Sequence, residues 1–237
     1  MTNSVDHRQA FDFRETVPWG RNREEYAAFF ELAALPPTTR ILDCAAGPSS
    51  FAADMAGRCR RIVAIDPLYG CSAGTIAGRV EETAALMLDG LRRAQARFVW
   101  DLYGTPETLI AARRAAMQRF LDDFGQAAGV GRYVAATLPA LPFRAGTFDL
   151  VLCSHFLFLY GGLLDGAFHA RAIEEMLRVG REARVFPLLG LDGELSPHLE
   201  PVRRRLEGRG CVSELRRVDY EFQRGGNRML CVRRKPD

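Results

Sequence analysis

A three-layer α/β domain on a mostly parallel, seven-stranded sheet is predicted by three features of the 237-residue chain. Short apolar strands alternate with helical patterns from Arg40 onward. The segment from Thr147 to Cys153 is nearly continuously apolar, as a strand covered on both faces is. Two alternating segments close the chain around Gln223-Arg224-Gly225-Gly226, which reads as an antiparallel hairpin. With 48% hydrophobic and 26% charged residues, the composition is that of one large folded domain, taken here as residues 1–237.

The elements follow in order. Asn22 and Glu25 have the spacing of a capping box, and Tyr26, Phe29, Phe30 and Ala33 then share one helical face until Pro36 and Pro37. Arg40 to Asp43 is a first strand, a small-residue helix runs from about Ser49 to Gly57, and Arg61 to Asp66 is a second strand, which completes a crossover unit. Residues 71–131 interrupt the alternation with a helical insertion, a candidate substrate lid. One helix there carries Ile76, Val80, Ala84, Met87 and Leu91; another starts at Thr105-Pro106-Glu107 and carries Ile110, Met117, Phe120, Leu121 and Phe124. Further strands are expected at Arg132 to Leu138, Thr147 to Cys153, Ala183 to Leu189, Val212 to Phe222 and Asn227 to Arg233. Helices capped by Asp165 and starting at Ser196-Pro197 lie between them.

Several function classes are disfavoured. No apolar run of about 18 residues is present, so no membrane span is expected, and the polar start MTNSVDHRQAFDFRE is unlike a signal peptide; a cytoplasmic protein is the expectation. Cys44, Cys59, Cys71, Cys153, Cys211 and Cys231 form no C-x-x-C pair, and no histidine has metal-ligand spacing, so neither a metal site nor a disulfide framework is expected. A net charge of +3 is far from a nucleic-acid footprint, and positive charge that is arginine except for Lys235 fits a GC-rich, bacterial genome. A monomer or homodimer is expected.

Ligands of an open parallel sheet bind beyond the carboxyl ends of its strands. The loop there, within ILDCAAGPSSF (Ile41 to Phe51), lacks the G-x-G-x-x-G that a dinucleotide pyrophosphate needs, and Pro48 removes a backbone N–H. Asp43 places an anion beside the loop, which repels phosphate and suits an ammonium or sulfonium. Asp66 ends the next strand, where a carboxylate accepts bonds from ribose hydroxyls. The implied ligand is an adenosine-like ribose with a cationic tail and no phosphate.

With these pieces the chain resembles the class I S-adenosylmethionine-dependent methyltransferases, especially the small-molecule and quinone-biosynthesis branch. ILDCAAG, RIVAID, LPALPFRAGTFDLVLCSHFLF and MLRVGREARVF carry the resemblance, together with the closing hairpin. It implies a Rossmann-like methyltransferase fold, S-adenosyl-L-methionine as cofactor and a small-molecule methyl acceptor, and it places Asp43, Ala45 and Gly47 at the methionine part and Asp66 at the ribose. Pro67, Thr137 and Leu138 would lie near adenine, and Ser154 and His155 near the transferred methyl group. Ala45 stands where the family usually has glycine, and Thr137 where an aspartate commonly binds the adenine amino group.

His155 is the candidate general base, with a structural histidine as the rival reading; His7, His169 and His198 lack such placement. Arg21, in Trp19-Gly20-Arg21-Asn22, is a candidate partner for the cofactor carboxylate. Phe98, Trp100, Tyr103, Arg113 and Arg114 are candidate pocket residues, although helix packing and a solvated charged face explain any one of them. Two rival functions remain: RNA methylation through Arg203 to Arg205 and the C-terminal basic residues, and a catalytically degenerate binder of the cofactor or its demethylated product.

Overall fold

The computed structural model describes residues 16–127 and 130–235. The polar start and His7 lie outside the described residues. The seven strands are β1 (Arg40–Cys44), β2 (Arg61–Ile65), β3 (Tyr133–Val134), β4 (Phe148–Ser154), β5 (Gly180–Phe186), β6 (Cys211–Arg217) and β7 (Arg228–Arg234), in the order β3-β2-β1-β4-β5-β7-β6. β1 pairs in parallel with both β2 and β4, whereas β7 runs antiparallel to β5 and β6. The predicted mostly parallel sheet with an antiparallel end is therefore the observed one. The order reverses beside β1, so the ligand-binding crevice of such a sheet lies at the carboxyl ends of β1 and β4.

Alternation along each strand assigns the faces. Leu42, Val63, Val151 and Val185 point to the side covered by α5 (Gly166–Val179) and α6 (Leu199–Glu207), where Ile173, Met176, Val202 and Leu206 pack. Ile41, Ile62, Leu150 and Leu152 point to the side of α1 (Arg23–Phe30) and α2 (Phe51–Met55). α3 (Ala73–Arg93) and α4 (Pro106–Gln126) also reach that side, through Ile76, Val80, Met117 and Phe120. The caps read from sequence are present: Asn22 and Glu25 bond reciprocally, Thr105 caps α4 and Asp165 caps α5.

Three boundaries differ from expectation. β5 runs three residues earlier than predicted, because α5 passes straight into it at Gly180, and Pro187 has no N–H to continue the ladder. β3 is reduced to two residues, and β6 and β7 are joined by residues 218–227 instead of a tight turn. The helical insertion is also only partly an insertion, since the inner halves of α3 and α4 belong to the main core. Their outer parts, with the segment that joins them, form a satellite cluster that includes Ala84, Leu91, Phe98, Tyr103, Leu109 and Ile110, against which Trp19 and Phe222 pack.

Gly180 is needed for space: a Cβ there would lie 2.3 Å from Val151 Cγ2. Gly180→Ala is expected to lower stability by about 1–3 kcal/mol, the usual cost of overpacking, in urea denaturation.

Candidate functional site

A cavity of about 580 Å³ opens at the carboxyl ends of β1, β2 and β4. Its floor is the loop after β1, its roof includes Met87, Leu91, Phe98 and Leu109 from the satellite cluster, and one side is closed by the segment from Thr16 to Trp19. Val17 N–H donates to the Tyr160 hydroxyl (3.1 Å), which ties that segment to the turn after β4.

The floor is held by Asp66. Its Oδ2 accepts from Gly47 N–H at 3.0 Å and its Oδ1 from Leu68 N–H at 2.9 Å. Burial raises its pKa, and these two amides oppose the rise. Tyr69 OH donates to Gly47 O at 2.7 Å, so the glycine is gripped from both sides. The loop amides are largely committed inside the protein: Ala46 N–H donates to Ile65 O, Ser50 N–H to Arg21 O and Phe51 N–H to Ser49 Oγ. Pro48 has none to offer. Gly20 passes so close to this loop that a Cβ on it would stand 2.1 Å from Pro48 O, and this contact seats the neighbouring Arg21.

Of the residues singled out in the sequence, Arg21, Ala45, Gly47, Asp66, Pro67, Thr137, Leu138, Ser154 and His155 all line this one cavity. Asp43 does not. It lies in mid-sheet, in register with Ala64 and Leu152, and is fully buried. Neither of its oxygens has a partner of hydrogen-bonding geometry among the described residues. Burial drives its pKa well above the carboxylate range, the nearby Tyr26 hydroxyl opposes this, and Asp66 adds to it. The carboxyl expected beside the loop thus lies buried behind it, where its charged form is disfavoured.

Two non-glycine residues on the wall adopt left-handed backbone, Ala45 at φ 52° and His155 at φ 50°. Each such residue costs about 1–2 kcal/mol, and strain of this kind concentrates where a site requires it. The His155 ring meets Phe29 and Phe186 edge-on at 5.4 and 5.3 Å, and its Nδ1 lies 2.8 Å from Ser154 Oγ. Burial, with Arg21 and Arg113 adding to it, pushes its pKa well below 6.5, which makes the ring a weaker base than a free imidazole. This opposes the expected general-base role. Thr137 Oγ1 donates to Leu138 O at 3.1 Å.

Arg21 lies half-buried on the wall, with Nη1 donating to Trp19 O at 3.1 Å and Nε buried without a partner among the described residues. Behind it is a network the sequence reading missed. Arg113, 1% exposed, pairs with Glu25, 5% exposed. Tyr103 OH also donates to Glu25, whose Oε1 lies 3.3 Å from Tyr220 OH. The guanidinium of Arg113 further lies over the rings of Tyr103 (5.5 Å) and Trp19 (5.9 Å). Arg113 is therefore no solvated charge, unlike Arg114, which is exposed and paired with Glu81. A signal for it was present: Arg113 falls on the stripe of Ile110, Met117, Phe120 and Phe124, where a charge needs a buried partner.

Among the described residues no cluster suited to a metal ion occurs, and no helix is long and apolar enough to cross a membrane.

Over 224 residues the chain is 32% identical to the uncharacterized protein MJ0045 of Methanocaldococcus jannaschii, a match spanning 94% of this chain and 98% of that protein. The chain belongs to that protein's family. The relative is archaeal, and a bacterial source does not follow from it. No protein-family model matches the chain. More distant similarity extends to solved structures. Magnesium protoporphyrin IX methyltransferase from Synechocystis PCC 6803 with bound SAM is 12% identical, with a TM-score of 0.42 over 84% of this chain and 71% of that one. A SAM-dependent methyltransferase from Methanosarcina mazei is 12% identical, with a TM-score of 0.41 over 88% and 98%. One from Aquifex aeolicus is 14% identical, with a TM-score of 0.39 over 88% and 90%.

The buried pair sets an acid limit on stability. Burial raises the Glu25 carboxyl, but the charge and hydrogen bond of Arg113, with Arg21, reverse this and hold it at about 2 instead of 4.5. A group held below its unfolded value stabilises the fold above that value and loses the contribution as pH falls toward the folded one. The thermal midpoint of the wild type should therefore exceed that of Glu25→Gln by a margin that shrinks as pH drops from 4.5 to about 2. Arg113→Met, which strands the Glu25 charge, is expected to cost about 3–5 kcal/mol in chemical denaturation at neutral pH.

Proposed function

We propose that the protein transfers a methyl group from S-adenosylmethionine to a small-molecule acceptor. The observation that carries this reading is the commitment of the loop amides. Gly47 N–H is held by Asp66, its neighbours Ala46, Ser50 and Phe51 are bonded within the protein, and Pro48 has no N–H. A phosphate at this loop would meet few donors, whereas a phosphate-free nucleoside would meet an acid at the end of β2. Each Asp66 oxygen accepts one amide and keeps a lone pair for a ribose hydroxyl. Arg21 offers a guanidinium with an unmet Nε at the far side of the loop, suited to the amino-acid carboxylate of the same ligand. Pro67, Leu138 and Thr137 provide a slot for adenine, with Ser154 and His155 beside the methyl group.

The cofactor, when bound, supplies an electrophilic methyl on a positively charged sulfur. The chain's own contribution is orientation: the loop and Asp66 fix one end, Arg21 the other, and the roof excludes water from the acceptor. Aromatic and aliphatic side chains such as Leu159, Tyr160, Phe168 and Phe222 dominate the remaining wall, which favours an apolar, small acceptor. Nothing specific favours RNA, since Arg203, Arg205 and Arg216 are paired with Glu200, Glu174 and Glu214. The soluble interior of a cell is the matching location. A degenerate binding role is separated from catalysis by one result, a methylated product.

Calorimetry is expected to show S-adenosylmethionine binding to the wild type, and about 10–100-fold weaker binding to Asp66→Asn, the worth of a lost charge-assisted hydrogen bond. Arg21→Gln should weaken S-adenosylmethionine by a similar factor while leaving 5′-methylthioadenosine, which has no carboxylate, nearly unaffected. No detectable wild-type binding would defeat the reading.

A further inference from the structure

The cavity wall contains very little that can accept a proton. Its one carboxylate among the described residues is Asp66, which lies at the ribose end with both oxygens holding amides. His155, beside the methyl region of the proposed reading, is enclosed by Phe29 and Phe186 and turns Nδ1 to Ser154 Oγ. The charged groups acting on it are the guanidiniums of Arg21 and Arg113, and an imidazolium there would face both. The other titratable groups on the wall are the phenols of Tyr26, Tyr160 and Tyr220, Arg79 of α3, and Cys71, which directly follows the Pro67–Gly70 turn at the Asp66 end. Burial raises the three phenols, so they are un-ionised. The wall around the acceptor space also includes Leu159, Leu164, Phe168, Leu191 and Phe222, with Gln223 as a polar neighbour.

We propose that the acceptor is an apolar aromatic molecule whose attacking atom arrives with its electron pair already free, as a thiolate, an acidic phenolate or a ring nitrogen, because among the described residues the wall holds no carboxylate free to take its proton and its one imidazole is enclosed by Phe29 and Phe186. The inference rests on the methyl-transfer reading and narrows its substrate class. The acceptor's lone pair forms the new bond to the methyl carbon, while the electron pair of the broken carbon–sulfur bond stays on sulfur and leaves it neutral. No proton has to move. Aliphatic alcohols and protonated amines are poor acceptors for the same reason: each must first lose a proton, and an ammonium would also face Arg21 with no carboxylate free to pair with it. His155 is a positioning residue in this scheme. Its edge-on contacts with Phe29 and Phe186 and its left-handed backbone fix the part of the wall against which the aromatic acceptor lies.

The first test is an equilibrium measurement. 4-Nitrophenol, whose anion absorbs visible light, is titrated against protein loaded with sinefungin, which puts an ammonium where the methyl-bearing sulfur would stand. Below the probe's own pKa the bound fraction should be at least about tenfold more ionised than the free probe. The second test is kinetic, with substituted thiophenols and S-adenosylmethionine. The pH inflection of kcat/KM should track each thiol's own pKa and keep its position in His155→Gln, whatever happens to the rate. Nitrophenol that fails to bind or binds un-ionised, an inflection shared by all acceptors and abolished in His155→Gln, thiophenols left unmethylated, or faster methylation of primary amines or aliphatic alcohols would each overturn the proposal. Failure of the parent reading is distinguishable, because then S-adenosylmethionine itself does not bind in the calorimeter.

Discussion

The ion pair between Glu25 and Arg113 is the constraint on which the rest of the site depends. It joins α1, which begins just after Arg21 of the cavity wall, to α4, which reaches both the sheet and the cavity roof. Removing two charges from water costs several kcal/mol per ion, and an isolated pair seldom repays that. Here the carboxylate is also met by Tyr103 and Tyr220 and by the N–H of Asn22, while the guanidinium lies over two aromatic rings. The pair is better understood as a register device than as a source of stability: this docking of α4 against α1 brings Glu25, Arg113 and Tyr103 together, with Arg113 Nε left without a partner among the described residues.

This network also explains the electrical character of the cavity. Glu25 answers Arg113, and among the described residues Arg21 has no acid of its own within hydrogen-bonding reach. Arg21 therefore presents its guanidinium to the ligand space, as Arg79 of α3 does. Burial chiefly lowers the pKa of His155, and the charges of Arg21 and Arg113 add to it.

Much of the fold was legible because its signals are local. Periodicity of two and of 3.6, the caps at Asn22, Thr105 and Asp165, and the prolines that end segments all act within a few residues. The cavity wall was legible for a related reason: once the sheet is parallel, strand ends converge, and Ala45, Asp66, Thr137 and His155 come together without any knowledge of packing. Asp43 was misplaced because strand alternation, which sends it under the loop, was outweighed by its nearness in sequence to the loop. The Glu25 network was missed because its members are separated by 78, 88 and 195 residues, and only packing brings them together. The dual character of α3 and α4 was hidden likewise, since one apolar stripe serves the main core at one end and a satellite cluster at the other.

That division of α3 and α4 has a kinetic consequence. A small cluster buries less apolar surface than the core beneath it, so it opens at lower free energy and as its own cooperative unit. Arg113 lies between Ile110, which packs in the cluster, and Met117, which packs on the sheet side, and so marks where opening stops. The roof can breathe while the floor stays folded, and the lifetime of a bound molecule is then governed by the satellite cluster and not by the stability of the protein as a whole.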